Sequence, residues 1–314
     1  MMYDTVRLFY PCNGTNLFRQ LGDLVEVTAC DPYGEKYVTG RLQNLKVTVN
    51  PYGVRIDGSL CKWHFGENYT PLDRTSTREA IETLSDHFNL NFAESIIKRL
   101  DVGVNLPMQY EPAAYFDYLG DRPRYKKFIY PTAVLYSIKA EQICFYDKMR
   151  ETADKNGVIP NEYAGKNLLR CETRILTNPS KILQVQELAA LDLWSAPIWN
   201  RCADYLQRQY GSIKKYEQSD SLAEAEYMNI QELYSASIMS HAEKFGGVEG
   251  LMAAIKRAQQ QGKLDKCKAK RFRDRIAQAA EEVKNRAEEQ GQPRSCIIQE
   301  LTGKIQEAVE EYKV

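Results

Sequence analysis

The segment IIKRLDVGVNLPM, residues 96–108, alternates strictly: Leu100, Val102, Val104 and Leu106 fall on one side of an extended chain, and Asp101, Gly103 and Asn105 on the other. A period of two marks a strand with one buried and one polar face, and a slip of one residue would turn the whole apolar set to solvent. The region is therefore bound to a sheet covered on one side, with an acid on its polar side. Shorter strand candidates precede it: VRLFY, DLVEVTA, KYVTGRL, LKVTVN and VRIDGSLCKWHF, separated by the turn sequences CNGTN, DPYGE and NPYG. NPYG predicts a hairpin in which Gly53 takes positive φ. Further on, TAVLYSIK and QICFYDKM read as a second hairpin, and NLLRCETRIL as another strand.

A helix capped by Thr75 or Ser76 is expected through Ala80, Ile81, Leu84 and Phe88, whose spacing repeats every three or four residues. Shorter helices are expected over FAESIIKR and over EPAAYFDYLG, the latter ending at Gly120. Beyond about residue 180 the period lengthens to that of a helix in nearly every segment. The reading is α+β: an antiparallel sheet with helices on one face, palm-like, over residues 1–210, a linker at 211–222, and a mostly helical C-terminal region at 223–314.

Several chemistries lose ground at once. The three histidines, His64, His87 and His241, form no paired motif, which argues against a histidine-rich zinc site. The eight cysteines include no C-x-x-C pair and read as reduced, structural thiols. No phosphate-binding glycine loop and no G-x-S-x-G elbow is present. With 42 basic and 42 acidic residues the chain has no net charge, so any nucleic-acid surface must be local. No apolar run reaches the roughly 18 residues of a bilayer span, and the first residues do not read as a secretory signal, so no membrane partner and a cytoplasmic location are expected.

Two acids stand inside apolar strands, Asp101 and Glu172, and a buried carboxylate must be paired, solvated or metal-bound. Glu172 shares a face with Arg170 and Arg174, so an ion-pair ladder and a site for Mg²⁺ or Mn²⁺ both account for it. Tyr146 and Lys148 have the same parity and would share a strand face. They read either as ordinary strand residues or as a nucleophile with its cation, since a phenol needs such help at neutral pH. RPRYKKF, residues 122–128, joins Arg122, Arg124, Lys126 and Lys127 to Tyr125 and Phe128, the mixture that contacts a nucleic-acid backbone and stacks on bases. KLDKCKAKRFRDR, residues 263–275, places Lys266, Lys270 and Arg273 on a helix where they could neutralise phosphates. Both clusters are equally compatible with a solvated charged surface. His64, at the end of its strand, is a candidate ligand or DNA contact.

In this order, the opening YDTVRLFYP, NLKVTVNPYGVRIDGSLCKWHFGENYTPL, AIETLSDHFNLNFAESIIKRLDVGVNLPM, RYKKF, LYSIKAEQICFYDKMRE and NLLRCETRI resemble the gene II/gene X family of replication initiators of filamentous phages and related plasmids. The resemblance spans most of residues 3–176. It implies a relative of the rolling-circle endonucleases that carry a His-hydrophobic-His metal motif, which this chain lacks. It maps the nicking tyrosine onto Tyr146, with Lys148 and Glu151 completing Tyr-x-Lys-x-x-Glu, and the metal onto Asp101, Glu172 and Glu151. The strands carrying Arg99 with Asp101 and Arg170 with Glu172 belong to the same pattern. It raises Arg122, Arg124, Tyr125, Lys126 and Lys127, and the loop carrying Gly66 and Asn68, as DNA contacts; His64, Arg170 and Arg174 are further candidate DNA contacts. The implied partner is origin DNA, duplex and single-stranded. The implied product is a 5′-phosphotyrosyl protein with a free 3′-OH, and the strand is later rejoined. A host helicase, self-association and a second tyrosine such as Tyr163 are open additions. The alternative is an origin-binding regulator of the same fold that does not cut.

Overall fold

A computed structural model describes residues 2–13, 25–30, 36–216, 230–243, 247–289 and 295–313. The expected turn DPYGE, most of CNGTN, and residues 217–222 of the expected linker lie outside the described residues. The chain divides into two compact units, Met1–Lys215 with Gln299–Val314, and Tyr216–Ile298.

The first unit opens with β1 (Met2–Pro11), β2 (Val25–Cys30), β3 (Lys36–Leu42), β4 (Leu45–Asn50) and β5 (Gly53–Ser59). Helices α1 (Leu60–Phe65) and α2 (Arg74–Phe88) follow, then the long strand β6 (Ile96–Met108) and a single helical turn, α3 (Ala113–Phe116). Next come β7 (Lys126–Tyr130), β8 (Ala133–Ser137), β9 (Glu141–Asp147), α4 (Lys148–Asp154), β10 (Asn167–Ile175), α5 (Pro179–Ile182) and α6 (Ala196–Gly211). The ten strands form one sheet in the order β2-β3-β4-β5-β1-β6-β10-β9-β8-β7. Every neighbouring pair is antiparallel. This is the α+β class and the antiparallel sheet that the alternation requires.

The apolar side of β6, with Leu100, Val102, Val104 and Leu106, is buried along with Cys171 and Ile175 of β10 and Phe145 of β9. Helix α6 covers it. Trp199 meets Tyr3 edge-on at 5.2 Å, Tyr210 approaches Phe145 at 6.1 Å, and the Tyr3 hydroxyl donates to the Leu193 carbonyl at 3.0 Å. The β4–β5 hairpin turns at Gly53 with φ of 156°, where a Cβ would fall 2.2 Å from the Tyr10 carbonyl oxygen.

Local chemistry overrides pattern at four places. SLCKWHF does not continue β5: the Ser59 hydroxyl accepts from the Lys62 backbone N–H and starts α1, which Gly66 ends at φ 79°. Helix α2 is capped by Asp73, not Thr75 or Ser76; the Asp73 carboxylate accepts from the Ser76 N–H and the Ser76 hydroxyl accepts from the Asp73 N–H. Of FAESIIKR only Phe92–Glu94 turns helically, because the alternation from Ile96 onward already belongs to β6. The helical pattern read beyond about residue 180 first becomes a long helix at Ala196, with a proline in its first turn, and Ala190–Trp194 form a separate 3₁₀ turn.

The remaining helices are α7 (Ile230–Glu243), α8 (Gly247–Gln260), α9 (Lys266–Glu289) and α10 (Ser295–Tyr312). Sequence period groups all of them beyond the linker, whereas most of α10 belongs to the sheet unit. Amphipathic spacing shows that a helix has a buried face but not what buries it. Here Leu301, Ile305 and Val309 are buried, Tyr210 shares a 2.7 Å hydrogen bond with Thr302, Tyr115 donates to Glu300, and Tyr312 packs on Trp199.

All three tryptophans, Trp63, Trp194 and Trp199, lie in the sheet unit, so their fluorescence reports on that unit alone. Leu301→Ala removes a fully buried side chain and is expected to destabilise it by about 2–4 kcal/mol. Denaturant unfolding followed by tryptophan emission checks this; an unchanged midpoint would mean that α10 contributes nothing to the sheet unit.

Candidate active site on the polar face of the sheet

The opposite face of the sheet carries charge. The ladder sets Glu172 of β10 against Gly103 of β6 on one side and Cys144 of β9 on the other, Arg170 against Asn105 and Tyr146, and Arg174 against Asp101. On β1 the register shifts. Tyr3 pairs with Val102 and Val6 with Leu100, so Asp4 and Thr5 together face Asp101. Such a bulge lets Tyr3 and Val6 both enter the apolar core while Asp4 turns to the polar face. Four adjacent strands thus present Asp4, Asp101, Glu172 and Tyr146 on one side.

Arg170 holds this face together. Its side chain is fully buried, and its guanidinium donates from Nη2 to Asp4 Oδ2 at 2.6 Å and from Nε to Glu172 Oε2 at 3.0 Å. Nη1 donates to the Asn68 carbonyl and to Asn105 Oδ1, both at 3.2 Å. To reach β1 from β10 it must cross β6, and it does so over Gly103, where a Cβ would stand 3.3 Å from Nη2. The glycine that completes the alternation of β6 is thus a place for the guanidinium.

Glu172 also accepts from Arg174 Nε at 2.7 Å and from the Tyr146 hydroxyl at 3.0 Å. Burial works against its charge, but Arg170 and Arg174 outweigh burial and hold the carboxyl down at about 2. The Tyr146 phenol moves the other way. Burial lifts it well above its usual value, Arg170 opposes that rise, and the Glu172 charge adds to it. Asp101 receives both N–H groups of one Arg99 fork, at 2.9 and 2.6 Å. It is 1% exposed, and burial, helped by the charge of Glu172, pushes it up to about 7 despite Arg99.

Lys148 does not share a strand face with Tyr146. Strand β9 ends at Asp147, whose carboxylate accepts from the Arg150 N–H and caps α4, and Lys148 is the first residue of that helix. Its ammonium is buried, donating to Asn68 Oδ1 and Glu151 Oε2, each at 2.8 Å. Burial, then the nearby Arg170, lower its pKa. Glu151 is also paired with Lys155, and the two lysines hold it ionised against its own burial.

Asp4, Asp101, Glu172 and Tyr146, with Arg99 and Arg174, line an open cleft of about 630 Å³, whose rim includes Lys62, Asn68, Glu151 and Lys155. Among the described residues, no group of three or more His, Cys, Asp or Glu is arranged to hold a metal ion. Of the expected trio, Glu172 and Glu151 are each held by two cations, whereas Asp101 is held by Arg99. Asp4 Oδ1, however, is buried without a hydrogen-bond partner among the described residues and faces Asp101 across the bulge. One or two hard carboxylates with water and substrate phosphate suffice for Mg²⁺, so Asp4 with Asp101 fits such an ion. Sequence reasoning passed over Asp4. The signal was an acid between the apolar positions of the first strand, legible only with the bulge. Lys62 gave no signal.

The expected DNA contacts separate into two groups. Arg124 and Lys126 are exposed, Arg174 is partly exposed at the cleft, and Tyr125 and Lys127 are half-buried, with Lys127 donating to the Leu119 carbonyl at 2.5 Å. Arg122 is instead buried, its guanidinium 3.5 Å above the Tyr125 ring. Arg170 and Asn68 are likewise turned inward to the network described above. His64 lies on α1, 3.6 Å from Glu79. Tyr163 packs on Tyr69 at 5.2 Å and does not line the cleft.

The Phage CRI family, described as the N-terminal region of a replication-associated protein, matches residues 2–196, a span that holds every residue of this cleft. A search of curated proteins found no match.

Removing the Arg170 guanidinium takes away the ion-pair partner of buried Asp4 and one of the two that hold buried Glu172. Arg170→Met is expected to cost about 3–5 kcal/mol in denaturant unfolding. Glu172 gives the pH dependence. Its folded carboxyl titrates at about 2 and an unfolded glutamate near 4.3, so its contribution is complete above the unfolded value and is lost as pH falls through the folded one. Urea midpoints should therefore drop between about pH 4.3 and 2, and Glu172→Gln should flatten that limb; equal slopes would show that Glu172 is not the group responsible.

Proposed function

Because the chain belongs to the Phage CRI family of replication-associated proteins, we propose that it initiates rolling-circle replication of a phage or plasmid by nicking one strand at the origin with Tyr146. The observation that carries this is the Tyr146 hydroxyl itself. It is held 3.0 Å from an ionised Glu172, on the floor of a cleft lined by acids and guanidinium groups.

The Tyr146 oxygen attacks the scissile phosphorus. As the Oη–P bond forms, the P–O3′ bond breaks, the phenol proton leaves through the open cleft, and the departing 3′-oxygen takes up a proton. The products are a 5′-phosphotyrosyl ester and a 3′-OH primer. The ester conserves the phosphodiester bond, and attack by a 3′-OH later rejoins the strand. Glu172 orients Oη by accepting its hydrogen; a carboxyl held at about 2 is too weak a base to keep the proton. Arg99 and Arg174 each have N–H groups at the cleft, the fork geometry that suits phosphate oxygens, and offset charge building on the phosphate. Lys148 is a positioning residue, fixing Glu151 and Asn68 at the rim. A divalent ion, Mg²⁺ or Mn²⁺, when held by Asp4 and Asp101, would polarise the scissile phosphate. Arg124, Tyr125 and Lys126 supply backbone and stacking contacts to origin DNA. The site of action is the host cytoplasm; among the described residues, no helix is long and apolar enough to cross a membrane.

Incubation of the protein with a supercoiled plasmid bearing the cognate origin and Mg²⁺ or Mn²⁺ tests this. Nicked circles and a trapped protein–oligonucleotide adduct on Tyr146 are expected, with both lost in Tyr146→Phe. Glu172→Gln should retain the adduct at a rate lowered by about 10–100-fold, or ~1.4–2.7 kcal/mol. An adduct persisting in Tyr146→Phe would overturn the assignment, and origin binding without any nick under either metal would favour the regulator that does not cut.

A further inference from the structure

The residues that line the cleft all belong to the sheet unit. Within the unit Tyr216–Ile298, charge is unevenly distributed. Residues 247–275 carry nine Lys or Arg against three Asp or Glu, whereas residues 276–289, the rest of α9, carry two against four. In a chain with 42 of each sign, this is a local concentration.

The structure fixes that charge on a folded frame. Ile255 of α8 and Ala269 and Ile276 of α9 form a small core, with Leu251, Met252 and Leu264 packed against it. The turn between the helices, residues 261–265, is closed by Gly262 at φ 70° and by backbone bonds to Arg257 and Ala258. Arg273 donates to Gln259 at 3.2 Å, so the flank of α9 bearing Lys266, Lys270 and Arg273 runs beside the last turns of α8. Lys256 and Lys263 come from α8 and the turn. Lys256, Lys263, Lys266 and Lys270 are all exposed. Among the described residues none of the four has an acidic partner, whereas Lys268 is paired with Asp265. Successive lysines one turn apart on α9 are spaced by about 6 Å along a rigid axis.

A basic stretch is commonly no more than a solvated face. Three features favour more: the positive charge converges from two helices and their turn, among the described residues no carboxylate pairs with those four lysines, and four of the five acids of α9 lie in its far half. We propose that this face of α8 and α9 binds the phosphate backbone of duplex DNA without reading sequence, giving the protein a second DNA surface separate from the nicking cleft. Duplex is favoured over single-stranded DNA because stacking platforms need several aromatic rings, and the only aromatic residue of 247–289 is Phe272. The inference rests on the reading of the chain as a DNA-acting protein.

The test uses the full chain with Lys266→Glu and Lys270→Glu, against a charge-matched control with Lys98→Glu and Lys181→Glu, both exposed residues of the sheet unit. Fluorescence anisotropy with a duplex lacking the origin, over a series of salt concentrations, should show the log–log salt slope reduced by about 2 in the first variant and not in the control. Cutting of a single-stranded origin oligonucleotide should be unchanged, and Tyr146→Phe should bind the duplex normally, which separates this proposal from the nicking assignment. An unchanged slope overturns it, as does a loss confined to single-stranded DNA. Circular dichroism checks the helices, and should the glutamate pair unfold them, Lys266→Gln with Lys270→Gln must still lower the slope by about 2.

Discussion

Everything on the polar face depends on one buried cation. A guanidinium removed from water is tolerable only when its donors are met, and Arg170 meets them with groups from β1, β6, β10 and the loop at Asn68. That requirement accounts for features that otherwise look unrelated. Gly103 must lack a side chain so that the guanidinium can pass. Asp4 must face inward, which needs the bulge in β1. Glu172 must be ionised, and that makes it an acceptor for Tyr146. The cost of burying a charge is offset by ordering three strands and one hydroxyl.

This arrangement divides the carboxylates by role. Glu172, between two arginines, is locked as an anion and serves as an anchor. Asp101 is as deeply buried but, among the described residues, has Arg99 alone as an ion-pair partner, and burial lifts it to about 7. Asp4 keeps one oxygen without a partner among the described residues. The acids nearest the tyrosine and those suited to a divalent ion are therefore different residues, although the chain presents all three in the same way, as single acids within apolar strands.

Much of this was legible from residues alone. The alternation in 96–108 and the acid-bearing strand at 167–175 fix which side chains share a face, and the register brings Asp101, Glu172, Arg174 and Tyr146 to one cleft as parity requires. What parity could not give was the end of β9. Asp147 caps a helix there, so Lys148 leaves the strand pattern after a single peptide and turns inward. Nor could it give Asp4, because a bulge breaks the counting on which parity rests. Arg122 failed for a different reason: charge composition says a side chain prefers water, but a ring beneath it and half-buried neighbours can hold it. Long-range partners of amphipathic helices are equally invisible, as α10 shows.

The zero net charge of the chain illustrates the same limit at the scale of whole units. A long-range field that draws in DNA is usually read from an excess of basic residues. Here the acids that cancel that excess are partly spent inside the protein, with Glu172, Asp101 and Asp4 each facing an arginine. Such pairs contribute to the count but little to the outside potential, since each is neutral as a unit. Among the described residues, the exposed Lys256, Lys266 and Lys270 of α8 and α9 have no such partner. Surface potential is thus governed by where charges are paired, and a chain with equal numbers of each sign can still present a strongly positive face.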